Sequence, residues 1–204
     1  MKTMKLLLLF FLNFLWIGNV MAIEEPKFEV LLTDGAFEIR KYAPFIVAET
    51  MVEGDMDQAS SKGFRLIADY IFGNNQAVSS ASSEKIAMTA PVTIEPQMNE
   101  MSMGTANKWL IKFIMPSQYT LATIPKPKNS AVNLREVSVK RYAVLKYSGI
   151  NFQSRVQTKT QEALDWVAKR NLQIIGQPQL SRYDPPWTLP MLRRNEVMIE
   201  ISNP

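Results

Sequence analysis

Arg40-Lys41-Tyr42-Ala43 returns later in the chain, with its first two residues exchanged, as Lys140-Arg141-Tyr142-Ala143. Each tetrapeptide opens a strand–helix unit, and a glycine, Gly54 or Gly149, stands just ahead of each helix. More strand-like segments follow both helices. The chain therefore reads as a duplicated β–α–β–β unit. Strands and helices mixed without regular βαβ alternation indicate an α+β domain with mainly antiparallel pairing. Two such units join their sheets into one curved sheet or open barrel, with the helices packed outside. That arrangement predicts an internal two-fold and a cleft where the halves meet, a natural place for a small ligand.

Phe28 to Tyr42 reads as two strands around a turn at Asp34-Gly35, and Phe45 to Val52 as a third. Asp55, with Gln58 three residues on, has the form of a capping box. Ala59, Gly63, Phe64, Ile67 and Ile71 then recur at helical spacing, and Gly73-Asn74-Asn75 ends the helix. Ala77 to Ser83 is a small, polar loop. Ile86 to Ile94 and Trp109 to Met115 read as strands around a polar, Met-rich loop from Glu95 to Asn107. Thr123 to Ser130, with two prolines, is a connector. In the second half, Val132 to Arg141 and Ala143 to Tyr147 read as strands. Asn151 is placed to cap a helix that shows Phe152, Val156, Ala163 and Val167 on one face. Gln179 to Tyr183 and Glu196 to Ile201 read as the closing strands.

Absences bound the chemistry. The 204 residues include no His and no Cys. That excludes imidazole general bases, Ser-His and Cys-His dyads, imidazole metal sites, thiolate chemistry and disulfides. The acids are spread over caps and strand faces, and no nucleophile–base pair stands out, so the sequence reads as a binding protein rather than an enzyme. The net charge of +4 is too weak and too dispersed for a nucleic-acid partner.

The N-terminus has the form of an export signal. Met1 to Lys5 carries two lysines, Leu6 to Ile17 is apolar except for Asn13, and Val20-Met21-Ala22 supplies small residues around a cleavage point. The expectation is a cleavable leader over 1–22 and one domain over 23–204, periplasmic or secreted, with no membrane span left after cleavage. Removing Lys2 and Lys5 leaves 21 basic against 19 acidic residues.

Several stretches resemble the SOUL haem-binding family and together cover nearly the whole mature chain. They are Phe37-Glu38-Ile39-Arg40-Lys41-Tyr42, Phe64 to Asn75, Ile86-Ala87-Met88-Thr89-Ala90-Pro91-Val92, and Tyr183-Asp184-Pro185-Pro186-Trp187-Thr188-Leu189-Pro190 followed by Arg193-Arg194-Asn195-Glu196-Val197. The resemblance implies a distorted antiparallel β-barrel flanked by two helices, with a hydrophobic cleft for haem and related tetrapyrroles. Some animal members carry a histidine, proposed as axial ligand, after the Glu-Ile-Arg of the first stretch. Lys41 stands there in this chain. Other members lack the histidine and hold haem mainly by packing, and this chain is similar to those.

Haem is an apolar plate with two carboxylates on one edge. For the plate, the candidates are Phe64, Ile67, Ala68 and Ile71 of the first helix, facing Met191 and Leu192; such a helical stripe serves equally well as core. For the propionates, Lys62, Arg65, Arg193 and Arg194 are available, arginine being suited to bidentate contact. Arg194 has the alternative of an internal ion pair with Glu196 or Asp184. Lys41 inherits the histidine position, but it must lose its proton to ligate iron, so an exposed surface role competes. Met88 reads as packing, Trp187 as an anchor of its loop against the barrel, and Asn195 as a turn cap. Two rival readings use other features: Met98, Met101 and Met103 offer soft thioethers to Cu(I), and the same cleft would suit a general apolar-ligand binder.

Overall fold

The computed structural model describes residues 23–80, 82–97 and 106–203. The expected leader and the Met98, Met101 and Met103 group lie outside the described residues. Side chains alternate across each strand, so one face of the sheet can be apolar and the other mixed. The first half contains β1 (Phe28–Asp34), β2 (Phe37–Tyr42), β3 (Phe45–Glu53), helix α1 (Met56–Ile71), β4 (Asn75–Gln76), β5 (Val92–Pro96) and β6 (Lys108–Ile114). After β7 (Lys126–Pro127) come β8 (Asn133–Val137), β9 (Lys140–Tyr147), α2 (Gln153–Lys169), β10 (Gln179–Arg182), a 3-10 turn at Pro190–Leu192, and β11 (Asn195–Ile201).

Nine strands form one curled antiparallel sheet in the order β1-β2-β9-β11-β10-β5-β6-β3-β8, and β4 pairs with β7. The expected α+β class, with a curved antiparallel sheet and two helices, is present, and the sheet is a half-barrel. Leaving out β1, the order is palindromic: β2, β3, α1, β5, β6 correspond to β8, β9, α2, β10, β11. The pseudo-dyad passes between β5 and β10 at the Ile94–Leu180 pair, next to Thr93 and Ser181, whose hydroxyls lie 3.3 Å apart. The first strand of each half crosses over, β2 to β9 and β8 to β3. The repeated tetrapeptides are consequently not equivalents. They are direct neighbours in the β2–β9 ladder, where Arg40 faces Tyr142 and Lys41 faces Arg141. The true repeat is ββαββ, with Gly54 and Gly149 at matching strand–helix junctions, both at positive φ (128° and 116°).

Both helices lie on one face, α1 over β3 and β6 and α2 over β9 and β11. Ile67, Tyr70 and Ile71 join Ile94, Trp109, Ile111, Phe113 and Leu180 in the larger core. Ala163, Trp166 and Val167 meet Val197, Ile199 and Ile201 in the second. Gly63 lets α1 settle directly on β6: a Cβ there would lie 2.4 Å from Ile111 Cγ1.

Three expected elements differ. Residues 86–91 are irregular, because Pro91 lacks a donor and the Ile86 and Ala90 amides bond to Ile71 and Glu24 carbonyls instead of a ladder. The strand expected over Val132 to Arg141 breaks at Ser138 and Val139 before β9 begins. Phe152, not Asn151, caps α2, and no side chain bonds there. The Asn151 amide is engaged elsewhere, accepting from Tyr147 Oη (2.7 Å) and donating to Asn195 Oδ1 (2.6 Å).

Candidate ligand-binding site

β10 ends at Arg182, and the chain then loops through residues 183–194 before re-entering as β11. This loop is braced from within. Arg193 donates through Nε to the Thr188 carbonyl (2.8 Å) and through Nη2 to that of Pro186. Asp184 accepts the Arg194 amide at 2.6 Å. Asn195, buried, ties β11 to the start of α2 through the Gly149 carbonyl (3.0 Å) and Asn151. With polar groups and prolines shaping its frame, the loop turns its large side chains outward. Trp187, Leu189, Met191 and Leu192 are each 59–83% exposed, and so is Phe152 beyond the Asn151–Asn195 tie, at 63%. Trp187 therefore does not anchor the loop, contrary to expectation: Arg193 does, and the indole is free. Exposed apolar groups gathered along one short segment mark a contact surface.

Arg182 connects this loop to α1, reaching Ser60 Oγ at 3.3 Å and Asp57 at 3.5 Å. Phe64 is one turn beyond Ser60 on the same helical face. It is partly exposed, with its ring 5.5 Å from that of Phe113. Ile67, Ala68 and Ile71 are buried, Ile67 and Ile71 in the larger core, and are not exposed on this surface. Lys62 and Arg65 are exposed on α1, Lys62 donating to the Glu53 carbonyl. Phe64, Met191, Leu192 and Arg193 thus belong to the two elements that Arg182 joins.

Two candidates fall elsewhere. Arg194 stacks on Tyr183 (3.4 Å to the ring centre) and pairs with Glu25 at 2.5 Å and Glu196 at 3.9 Å, the internal pairing that the sequence left open. Lys41 is exposed on β2, three strands from β10 in the sheet order.

Sequence reasoning missed Arg182 and Tyr147. Burial pulls the Arg182 guanidinium below the ordinary arginine range; Asp57 offsets this only in part, and Arg193 acts in the same direction as burial. Its Nε is buried with no hydrogen-bond partner. Burial raises the Tyr147 phenol, against the pull of Arg182 and Arg155. Both fall in strands read from the sequence, where alternation does not single them out. The only signal is that Arg182 immediately precedes the Tyr183-Asp184-Pro185-Pro186 stretch.

Two hollows lie away from the loop and α1. One, of about 160 Å³, lies at the junction of the halves and is lined by Tyr42, Thr93, Tyr142, Ser181 and Met198 among others. That is below the several hundred Å³ usual for a drug-sized ligand. Its charges are matched within the protein: Lys112 with Glu95, Lys140 with Glu200 at 2.5 Å, and Arg135 with Glu49 at 2.8 Å. A larger hollow, about 400 Å³, lies against residues 24–27 and is edged by Glu24, Glu25 and Glu136 against Lys27, an unsuitable rim for a dianionic edge. The loop–α1 surface differs from both in offering apolar area beside an under-paired cation. Its chemistry matches a flat apolar ligand with an acidic edge, and its donor set includes no imidazole or thiolate.

The fold recurs in solved structures. The C-terminal domain of EcmrR matches with a TM-score of 0.62 at 10% identity, covering 82% of this chain and 98% of that one. A hydrolase from Listeria innocua matches with a TM-score of 0.54 at 13% identity, covering 84% and 94%. At such identities the likeness shows the fold alone. A search of curated proteins gives no match. The family model described as SOUL heme-binding protein matches residues 23–200, most of the chain. With this match over both halves of the palindromic sheet and the 183–194 loop, the chain belongs to the SOUL heme-binding protein family.

Proposed function

We propose that the mature protein, residues 23–204 after export and loss of the leader, binds haem or an iron-free tetrapyrrole on the loop–α1 surface, mainly by packing. The observation that carries this reading is the row of outward apolar side chains, Trp187, Leu189, Met191 and Leu192, on a loop that Arg193 braces from within. Phe64 extends the apolar area on α1. Lys62, Arg65 and Arg193 supply positive charge around it. Family membership supports the ligand class. Covering a few hundred Å² of apolar surface contributes several kcal/mol at about 25 cal/mol per Å², enough for micromolar affinity after the costs of association. Bound haem would bring its own iron chemistry. What this chain supplies is a bed for the plate and cations for the propionates, with no histidine to ligate the metal.

Titration of residues 23–204 with hemin, followed at the Soret band, tests this, with protoporphyrin in parallel. Saturable one-to-one binding of both, without a six-coordinate spectrum, is the expected outcome. A six-coordinate spectrum would instead make Lys41 or a methionine an axial ligand, and failure of both to saturate would end the tetrapyrrole reading. Replacing Trp187, Leu189 and Met191 together by serine should weaken hemin binding at least about tenfold with little change in melting temperature, since all three are exposed.

A further inference from the structure

Arg182 is a half-buried cation without an adequate anion, and its Nε is fully buried. Arg40 shows what satisfaction looks like here: it holds Glu196 through two bonds of 2.8 and 3.0 Å and Glu38 through a third of 2.6 Å. Arg182 has Ser60 Oγ at 3.3 Å, Asp57 at 3.5 Å, and nothing at Nε. Asp57 is a poor partner because its side chain is largely in solvent, where water competes for it. The surroundings add cations, not anions: Arg193 bears on Arg182, and Arg155 bears on neighbouring Tyr147. A guanidinium left in this state is short of an acceptor with two oxygens in one plane, which a carboxylate provides. Asp57 comes from α1 and the braced loop continues directly from Arg182, so the missing acceptor would arrive where the apolar surface begins.

We propose that Arg182 anchors a carboxylate carried on the edge of an apolar ligand, and that Asp57 is the resident stand-in which that carboxylate displaces. The inference rests on the tetrapyrrole reading above and identifies which cation takes a propionate. Ser60 supplies a further hydroxyl at the same place. Sequence reasoning turned to Lys62, Arg65, Arg193 and Arg194. Of these, Arg193 and Arg194 are already bonded within the protein.

The experiment compares protoporphyrin with its dimethyl ester, in which both propionates are masked, by fluorescence titration of residues 23–204. The wild type should prefer the free acid about tenfold or more, the usual scale of a charge-assisted hydrogen bond. R182Q should bind the acid no better than the ester, while R182K retains part of the preference. D57N should bind the acid several-fold more tightly and leave the ester unchanged, a gain that a merely structural role for Arg182 would not produce. Because Asp57 is exposed, D57N keeps the proposal testable even if R182Q fails to fold. Retention of the acid preference in R182Q, equal wild-type affinity for acid and ester, or no gain in D57N would each overturn the Arg182 anchor while leaving tetrapyrrole binding intact. Saturable binding of neither porphyrin to the wild type would overturn both.

Discussion

Arg40 sits at the centre of a buried chain of charges on the helix-free face. Lys146 bonds to Glu38, Glu38 to Arg40, Arg40 to Glu196, and Glu196 accepts from Tyr183 at 2.7 Å. Glu38, Arg40 and Tyr42 alternate along β2, so the Phe37–Tyr42 stretch that resembles a haem-family signature directs every second side chain into this network and leaves Lys41 outside. Burial alone would raise the Glu38 carboxyl; Lys146 and Arg40 outweigh it and hold the group below the ordinary carboxylate range. A carboxylate with a lower pKa folded than unfolded contributes stability above the unfolded value and loses it as pH falls through the folded one. Stability should therefore decline below about pH 4. Glu38→Gln should cost about 3 kcal/mol at neutral pH by leaving Arg40 short of a partner, and should flatten the acid limb. Urea unfolding of both proteins from pH 7 to pH 3 checks this, and parallel pH curves would refute the linkage to Glu38.

At the scale of elements, the contact of α1 with β6 sets two effects of opposite sign against each other. Alanine at a mid-helix glycine is worth up to about 1 kcal/mol in helix propensity, whereas a Cβ at position 63 would lie 2.4 Å from Ile111 Cγ1. Overpacking of that kind costs about 1–3 kcal/mol, so Gly63→Ala should lower the melting temperature by a few degrees, and a rise in a thermal scan would show that Ile111 yields. The same helix shows how far the sequence could be read. Its start was legible because Asp55 does accept from the Gln58 amide, and its buried face because Ala59, Gly63, Ile67 and Ile71 keep the helical period. The start of α2 was not, because Asn151 is a good cap by residue type but bonds to Tyr147 and Asn195. The curled sheet was legible in outline from the duplication, although the tetrapeptides that revealed it are cross-strand neighbours rather than equivalents. The surface on the 183–194 loop was half legible. Periodicity identifies a buried stripe but says nothing about which large side chains a braced loop turns outward, so Met191 and Leu192 were found, Trp187 was misplaced, and Arg182 went unnoticed.

At the scale of the molecule, the exchange of first strands makes the halves interdependent. β2 completes the sheet of the second half, and β8 that of the first. A fragment of residues 23–122 would retain β2 without β9, and a fragment of 123–204 would retain β8 without β3. Each fragment alone should lack a cooperative unfolding transition, and an equimolar mixture should regain one near that of the intact domain, as circular dichroism during a thermal scan would show. Independent folding of either fragment would contradict this. Arg40 and Arg135 make the relation concrete: they occupy matching places, cross-strand from Tyr142 and Val47, yet one is buried between Glu38 and Glu196 and the other is half exposed against Glu49. A single ββαββ unit with the same preferences would close only by pairing with a twin and trading its first strand. On that view the present chain behaves as a homodimer joined into one polypeptide, and the loop bearing the apolar row belongs to one of its two halves.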